Sequence, residues 1–348
     1  MPQPRRSRIA TAEGETPMAE LTVCTHAEAA AMHGDIVPTL TDLVNIAFGE
    51  YEGCMEMSVD FMRWYLRRPG TDPSLCQVVM DGERAAANVF VAVHTLGFCG
   101  TPLRCGIIDS VSTLPEYRRQ GLARGLMDRA HEAMRAAEID MSVLYTNPDG
   151  HPYGFYQRLG YKTRSWIDLL AGARPDAVPG IEVSLASETD YPDIRTLIDS
   201  VAPHFDGAPE LTDDYWRWHK IERPADSPVT ILAARATPDG PILGTVTFCD
   251  SDLAFGDERV RVSTLADLVL SDDAGDDVGA ALLSAASQPM IAVLCDMIDP
   301  AYSLFIESRF QRQVCEVSML LPFTWAAQSI AAEPPAPWHT LVESVIGV

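Results

Sequence analysis

The chain has 348 residues, 47% of them hydrophobic, with 49 acidic against 26 basic side chains and a formal charge of −23. That length suits one large or two medium globular domains. The acidity argues against DNA, RNA and anionic membranes as partners, because phosphate binding needs clustered Lys and Arg, whereas a cationic small molecule would be drawn in.

In chain order, MPQPRRSRIATAEGETP is polar and has no apolar core segment after its arginines, so it reads as a disordered tail (1–18) rather than a signal peptide. No stretch is long and apolar enough to span a bilayer. Eight cysteines are present, none in a CxxC pair or at zinc-ligand spacing from a histidine. No metal site is expected, and reduced thiols fit a cytoplasmic protein.

Strand-like LTVCTH follows the tail, and strand-like IEVSLA follows a Gly- and Pro-rich linker over 173–180. From these two starts the sequence repeats. DFMRWYLRRPGTDPS (60–74) matches DYWRWHKIERPADSP (214–228), with Asp60, Arg63, Trp64 and Asp72 opposite Asp214, Arg217, Trp218 and Asp226 at a constant offset of 154. Each is an amphipathic helix stopped by proline, at Pro69 and Pro224.

The first half continues with LCQVVM and AAANVFVAVHTL around the turn signal Asp81-Gly82, then the strand LRCGIIDSVSTL. A helix over 121–138, the buried strand MSVLYT and a short helix in YGFYQRLGY follow. The second half repeats that order in VTILAARA, PILGTVTFC, RVSTLADLVL, a helix from about 278, MIAVLCDM and YSLFIESRF. The expectation is an α/β protein of two similar lobes, 19–172 and 181–325, each a mixed, mostly antiparallel sheet flanked by helices. A C-terminal tail, 326–348, has enough apolar residues to dock.

One junction carries chemistry. In LPEYRRQGLARGLM (114–127) a strand ends in proline, and Arg118, Arg119, Gln120, Gly121, Leu122 and Ala123 lead into the helix. A helix start offers unpaired N–H groups and the positive end of its dipole. Glycine lets backbone approach a ligand, and Ala123 keeps the first turn slim. Together with the arginines these describe a phosphate or pyrophosphate site. Asp109 is a carboxylate inside an apolar strand, costly unless paired or functional; it is either a base or substrate anchor or one side of a structural ion pair. Glu50, Glu52 and Glu56, between the first two helices, suit a cationic acceptor or form a solvated acidic loop. Glu116 faces solvent or balances the arginines, and His151 is an exposed loop histidine.

The first half resembles the GNAT N-acetyltransferases. Their pyrophosphate loop, Arg/Gln-x-x-Gly-x-Gly/Ala, is met by Arg118, Gly121 and Ala123, and their late aromatic segment by Phe155, Tyr156, Gly160 and Tyr161. The resemblance implies acetyl-coenzyme A as cofactor, with its arm between splayed strands 107–114 and 141–146 and held by backbone near Leu114. It also implies a small-molecule amine that attacks the thioester directly, Tyr156 as proton donor to the leaving thiolate, and Asn147 near the cofactor. Members of the family also use ordered water as base.

The second half departs from that pattern. At an offset of 156, Arg118 falls opposite Ala274 and Gly121 opposite Asp277, and Asp272, Asp273 and Asp276 add charge that would repel a pyrophosphate. Tyr156 falls opposite Phe305 and Gly160 opposite Arg309. The second lobe is therefore expected to bind no coenzyme A. An active first lobe with a degenerate second one is similar to the enhanced-intracellular-survival aminoglycoside acetyltransferases and, more distantly, to mycothiol synthases. A further sterol-carrier-like domain of the former is not expected here, and a role for the Val348 carboxylate as base stays open. Other acyl-coenzyme A chemistry, transfer to protein lysine or cofactor binding without turnover fit the same fold. Neither the acceptor nor the oligomeric state can be read from the sequence.

Overall fold

A computed structural model describes residues 21–49, 56–255 and 258–342. The first half lays down β1 (Thr22–Thr25), α1 (His26–His33), α2 (Val37–Phe48), α3 (Val59–Leu66), β2 (Gln77–Asp81), β3 (Arg84–Phe98), β4 (Thr101–Thr113), α4 (Leu122–Ala136), β5 (Met141–Thr146), α5 (His151–Arg158) and β6 (Lys162–Ala173). The second half follows with β7 (Glu182–Leu185), α6 (Tyr191–Val201), β8 (Asp206–Pro209), α7 (Asp213–Trp216), β9 (Val229–Arg235), β10 (Gly244–Phe255), β11 (Glu258–Leu270), α8 (Asp276–Ser284), β12 (Met290–Asp296), α9 (Tyr302–Glu307), β13 (Gln311–Pro322) and α10 (Trp325–Ala332). The architecture is α/β, with a large, mostly antiparallel sheet flanked by helices. Among the described residues no helix is long and apolar enough to cross a membrane.

The strands form one sheet in the order β1-β2-β3-β4-β5-β13-β6-β12-β11-β10-β9-β7, with β8 added to β3. Pairing is antiparallel except at β4–β5 and β11–β12. The first-half strand β6 lies between β13 and β12 of the second half, while β13 lies between β5 and β6. Each half thus gives its last strand to the centre of a shared sheet. Sequence periodicity showed neither of these strands, and the Gly/Pro-rich segment begins inside one of them, since Ala173 still pairs with Met290. The β2–β3 hairpin turns one residue later than Asp81-Gly82 suggests: Asp81 pairs with Arg84, leaving Gly82 (φ 59°) and Glu83 at the tip.

The helices start where side chains can cap them. Thr25 and Glu28 form a reciprocal capping box on α1, with Thr25 N–H donating to Glu28 (2.8 Å) and Glu28 N–H to Thr25 Oγ1 (3.1 Å). Ser58 caps α3 through Phe61 N–H (3.0 Å), and Thr212 caps α7 through Tyr215 N–H (3.2 Å). These two caps are again 154 residues apart. Past Trp216, α7 loosens into a π-helical turn that reaches Ile221.

The repeated helices meet each other. Trp64 and Trp218 stack with ring centroids 4.4 Å apart and 8° between planes. Each indole N–H donates to the other residue's carbonyl oxygen, both at 2.9 Å. The Arg223 guanidinium lies over the Trp64 ring at 4.2 Å, and Arg68 lies over Trp218 at 5.6 Å. Both indoles are buried, and both donors are satisfied, as burial requires.

Two buried ion pairs fasten other parts of the sheet. Lys220 pairs with Asp267, each side chain 1% exposed. Arg164 of β6 pairs with Asp206 at 2.6 Å and donates to the carbonyls of Glu333 and Pro334, drawing the C-terminal segment onto the sheet. Trp338 is then sealed against Phe98 and Tyr145, and Gly207 (φ 79°) gives it room, since a Cβ there would sit 2.6 Å from the indole.

Trp218→Ala is expected to cost roughly 3–5 kcal/mol in urea unfolding. Trp64→Ala should cost a similar amount, and the double variant well under the sum, because both remove one stack. Acid is expected to destabilise the fold. Burial pushes His26, bonded to Asn88 Oδ1 at 2.6 Å, down to about 4, and does the same to His131 beside Tyr161. The unfolded rings titrate near ~6.5, so the unfolded chain binds more protons below that pH. The stabilisation is complete above the unfolded value and is lost as pH falls toward 4, at most roughly 3 kcal/mol per ring. Urea midpoints compared at pH 7 and pH 5 check the sign.

Candidate active site

Strands β4 and β5 run parallel but pair only at Cys105–Met141, Gly106–Ser142 and Ile107–Val143. Past Ile107 the two diverge and leave a fork. A bulge helps to open it, because the β3–β4 register slips between Asn88 and Phe90, and Ser110 adopts a positive φ of 48°. β4 leads from the fork into the arginine loop, and β5 leads through Asn147 into α5. The anion loop and the helix bearing Tyr156 are thereby brought to one end of the sheet.

Pro115–Tyr117 makes a 3-10 turn, and the chain then enters the left-handed region at Arg119 (φ 64°) and Gly121 (φ 80°). Gly121 is the N-cap of α4 and has no capping side chain. Gly125 N–H returns to Gly121 O at 3.0 Å, while the amides of Leu122, Ala123 and Arg124 take no acceptor among the described residues. Arg118 is half-buried, with its Nε tied to Thr113 O at 3.1 Å. Arg119 and Gln120 are exposed, and Gln120 donates to Glu116 O. A Cβ added at Gly121 would meet nothing within 4 Å. The loop therefore presents open amides, two guanidinium groups and free space, the requirements of an anion cradle. Leu114 is buried, and its own amide and carbonyl are already used by Ala86 O and Tyr117 N–H.

Tyr156 is 6% exposed and stands edge-on to Tyr161 at 6.0 Å. Asn147 is exposed, and its side-chain oxygen accepts from Asp149 N–H at 2.8 Å within a local turn. Glu116 pairs with Arg84 at 2.8 Å, and His151 is exposed at the start of α5. Glu50 and Glu52 lie outside the described residues. Glu56 is exposed and pairs with Arg259 of β11 at 3.2 Å.

Asp109 lies two residues beyond the last β4–β5 pair. It accepts a hydrogen bond from Tyr65 and an ion pair from Arg68 at 3.2 Å. Arg68 is fully buried, whereas the Asp109 side chain is 32% exposed. The ion-pair reading is therefore realised, and part of the carboxylate still reaches the fork. Burial first, and then Asp109, push the Tyr65 hydroxyl well above the usual tyrosine range, so it stays a donor.

Sequence reasoning missed Tyr65, Arg68, Tyr145 and Glu316 here. Tyr65 and Arg68 were hidden in a helix read only for its repeat. Glu316 carried the same signal as Asp109, a carboxylate in the apolar run VCEVSML, but β13 was not recognised as a neighbour of β5.

The second half differs at each of these points. Its helix starts earlier, at Asp276, and the N-cap Gly275 is extended (φ −71°) rather than left-handed. Its fork opens past Leu265–Val293, but the 3-10 turn at His339–Leu341 packs against β11 and β12, with Leu341 in that half's core. Asp267, two residues past the last pair, is sealed against Lys220. Arg309, which falls opposite Gly160 in the sequence, also has a positive φ (63° against 98°).

Residues 35–164 match the family described as an acetyltransferase (GNAT) domain. The chain thus contains a GNAT domain, and the protein is an acyltransferase. No curated protein sequence matches it. Among solved structures it is similar to a GCN5-related N-acetyltransferase from Anabaena variabilis (15% identity, 86% of this chain and 72% of that one, TM-score 0.63). It is also similar to a conserved protein of unknown function from Enterococcus faecalis, a probable N-acyltransferase (14%, 87% and 72%, 0.58). A third is Saccharomyces cerevisiae N-myristoyltransferase with bound myristoyl-CoA and inhibitors (12%, 89% and 82%, 0.68). At these identities the likeness is one of fold.

The backbone at the two junctions sets different demands. Gly121→Ala is expected to cost about 1–2 kcal/mol in urea unfolding, because it forces a side chain into the left-handed region. Gly275→Ala should cost under about 1 kcal/mol, the loss of a weak cap.

Proposed function

We propose that the protein is an acetyl-coenzyme A-dependent N-acetyltransferase, active in its first half, that acylates a primary amine of a small cationic substrate. The observation that carries this reading is the open Arg118–Ala123 cradle at the head of an open fork, set against a second junction that has neither. Arg118, Arg119, Gln120 and the amides from Gly121 to Ala123 would hold the pyrophosphate. The fork between β4 and β5 would take the pantetheine arm and place the thioester beside Asp109 on one side and α5 on the other. The similar structures of Saccharomyces cerevisiae N-myristoyltransferase hold myristoyl-CoA, an acyl thioester of the same cofactor.

The chemistry follows from the groups in reach. An ammonium has no lone pair, so the acceptor must lose a proton before it attacks. Attack on the carbonyl carbon forms the C–N bond and collapse breaks the C–S bond. The Tyr156 hydroxyl is suited to protonate the departing thiolate. The excess of acidic side chains would raise the local concentration of a cation. The second half, its fork filled by Leu341 and its loop lined by Asp272, Asp273 and Asp277, would serve as a brace and bind no coenzyme A. The two halves are a tandem of one fold that keeps a single cofactor site.

Calorimetry with acetyl-coenzyme A is expected to show one site per chain. Arg118→Glu should weaken it roughly 10- to 100-fold, the loss of charge-assisted bonds worth ~1.5–3 kcal/mol. Equal affinity in the variant, or a second site abolished at Asp277, would overturn the assignment. Thiol release with a panel of amines then reports transfer.

A further inference from the structure

Three side chains ring the open end of the fork, and one of them comes from the other half of the chain. Ile107 and Val143 are the last paired residues and share a face of the sheet. Alternation puts Asp109 on β4 and Tyr145 on β5 on that same face, one on each lip. Tyr145 is directly opposite Ser318 of β13, and Glu316, two residues along β13, shares the face as well. β5 pairs with β13 only as far as Thr146–Val317, so Glu316 sits just where β5 has ended.

We propose that Glu316, carried into the first half's fork by the exchanged strand β13, is the carboxylate that receives the acceptor ammonium and takes its proton. This rests on the acyltransfer reading above and names the group that completes it. Asp109 is less suited to the task, because Tyr65 and Arg68 already occupy its carboxylate. The Glu316 carboxylate has no hydrogen-bond partner among the described residues, and the residue is half-buried. Removal from water and then the facing charge of Asp109 push its carboxyl up to about 7. The titratable groups that face it are Asp109 on β4 and Tyr145 on β5, and behind Asp109 stand Tyr65 of α3 and Arg68, just past that helix. Tyr145 is itself held by Trp338 (3.1 Å) and His339 (3.3 Å) of the docked tail. A cation entering here meets Asp109 and Glu316 together, one already engaged by Tyr65 and Arg68 and the other able to accept a proton near neutral pH.

The step balances. The ammonium N–H bond breaks and its proton passes to a Glu316 carboxylate oxygen, leaving a neutral amine. The amine nitrogen attacks the thioester carbon, and the tetrahedral species expels thiolate. The nitrogen's second proton is lost as the amide forms, which balances the proton the thiolate gains. Glu316 then returns its proton to solvent.

The test is Glu316→Gln in the full-length protein, with calorimetry for acetyl-coenzyme A and thiol release for transfer to 1,4-diaminobutane and to hydroxylamine. The diamine arrives protonated at neutral pH, and hydroxylamine arrives largely neutral. Cofactor affinity is expected to stay within about twofold of the parent, and the urea midpoint close to the parent's. Transfer to the diamine should fall roughly 100-fold, within the range for loss of a general base, with a much smaller fall for hydroxylamine. The parent's kcat/KM for the diamine should rise through an inflection near pH 7 that the variant lacks. Equal losses for both nucleophiles, an unchanged pH profile, or full diamine activity in the variant would overturn the role of Glu316 while leaving cofactor binding intact. Failure of the parent to bind acetyl-coenzyme A would instead overturn the underlying reading, and this assignment with it.

Discussion

The stacked pair Trp64–Trp218 is the constraint on which the rest of the molecule hangs. Each indole gives its N–H to the other's backbone carbonyl, so the contact is reciprocal. Stacking alone would tolerate sliding. Two reciprocal hydrogen bonds to backbone do not, and they fix α3 against the start of the π-helical turn after α7. Because α3 also carries Tyr65 and leads directly into Arg68, the same contact sets where Asp109 is held. The geometry of the fork is therefore coupled to that helix pair, through a buried guanidinium that touches both Trp218 and Asp109.

The two strand–helix junctions aligned in the sequence differ in what they would offer a ligand. At the first, a left-handed arginine and glycine open the backbone, the helix starts late, and amides face free space. At the second, the helix begins earlier, acidic side chains crowd the loop, and Leu341 fills the fork. The buried Lys220–Asp267 pair belongs to the same pattern. It is a closed ion pair that needs no solvent, whereas Arg68–Asp109 is buried on the cation's side and partly open on the carboxylate's. A buried pair is weak as a source of net stability but costly to break, so each fixes its strand near a fork at the expense of tolerance to substitution.

The exchange of β6 and β13 makes the halves interdependent. Both strands pair only with strands of the opposite half, and the C-terminal segment is drawn in by Arg164 of β6. The exchange also puts a strand encoded beyond position 310 beside β5, in a domain whose family match ends at position 164.

The sequence by itself determined the local features. Constant offsets gave the repeat, a proline and a glycine gave the helix boundaries at the loop, and the arginines against aspartates told the two junctions apart. These are short-range signals, set by backbone preference and charge within a few residues. It also showed that Asp109 needed a partner but not which one, since Tyr65 and Arg68 lie more than forty positions away. Only the tertiary structure decided that the lobes share one sheet, that β13 borders β5, and that the tail occupies the second fork. Strand partners are chosen by long-range burial and hydrogen-bond satisfaction, which leave little trace in any single segment. The tryptophan repeat was visible as a spacing, and the fold alone showed that the two copies touch.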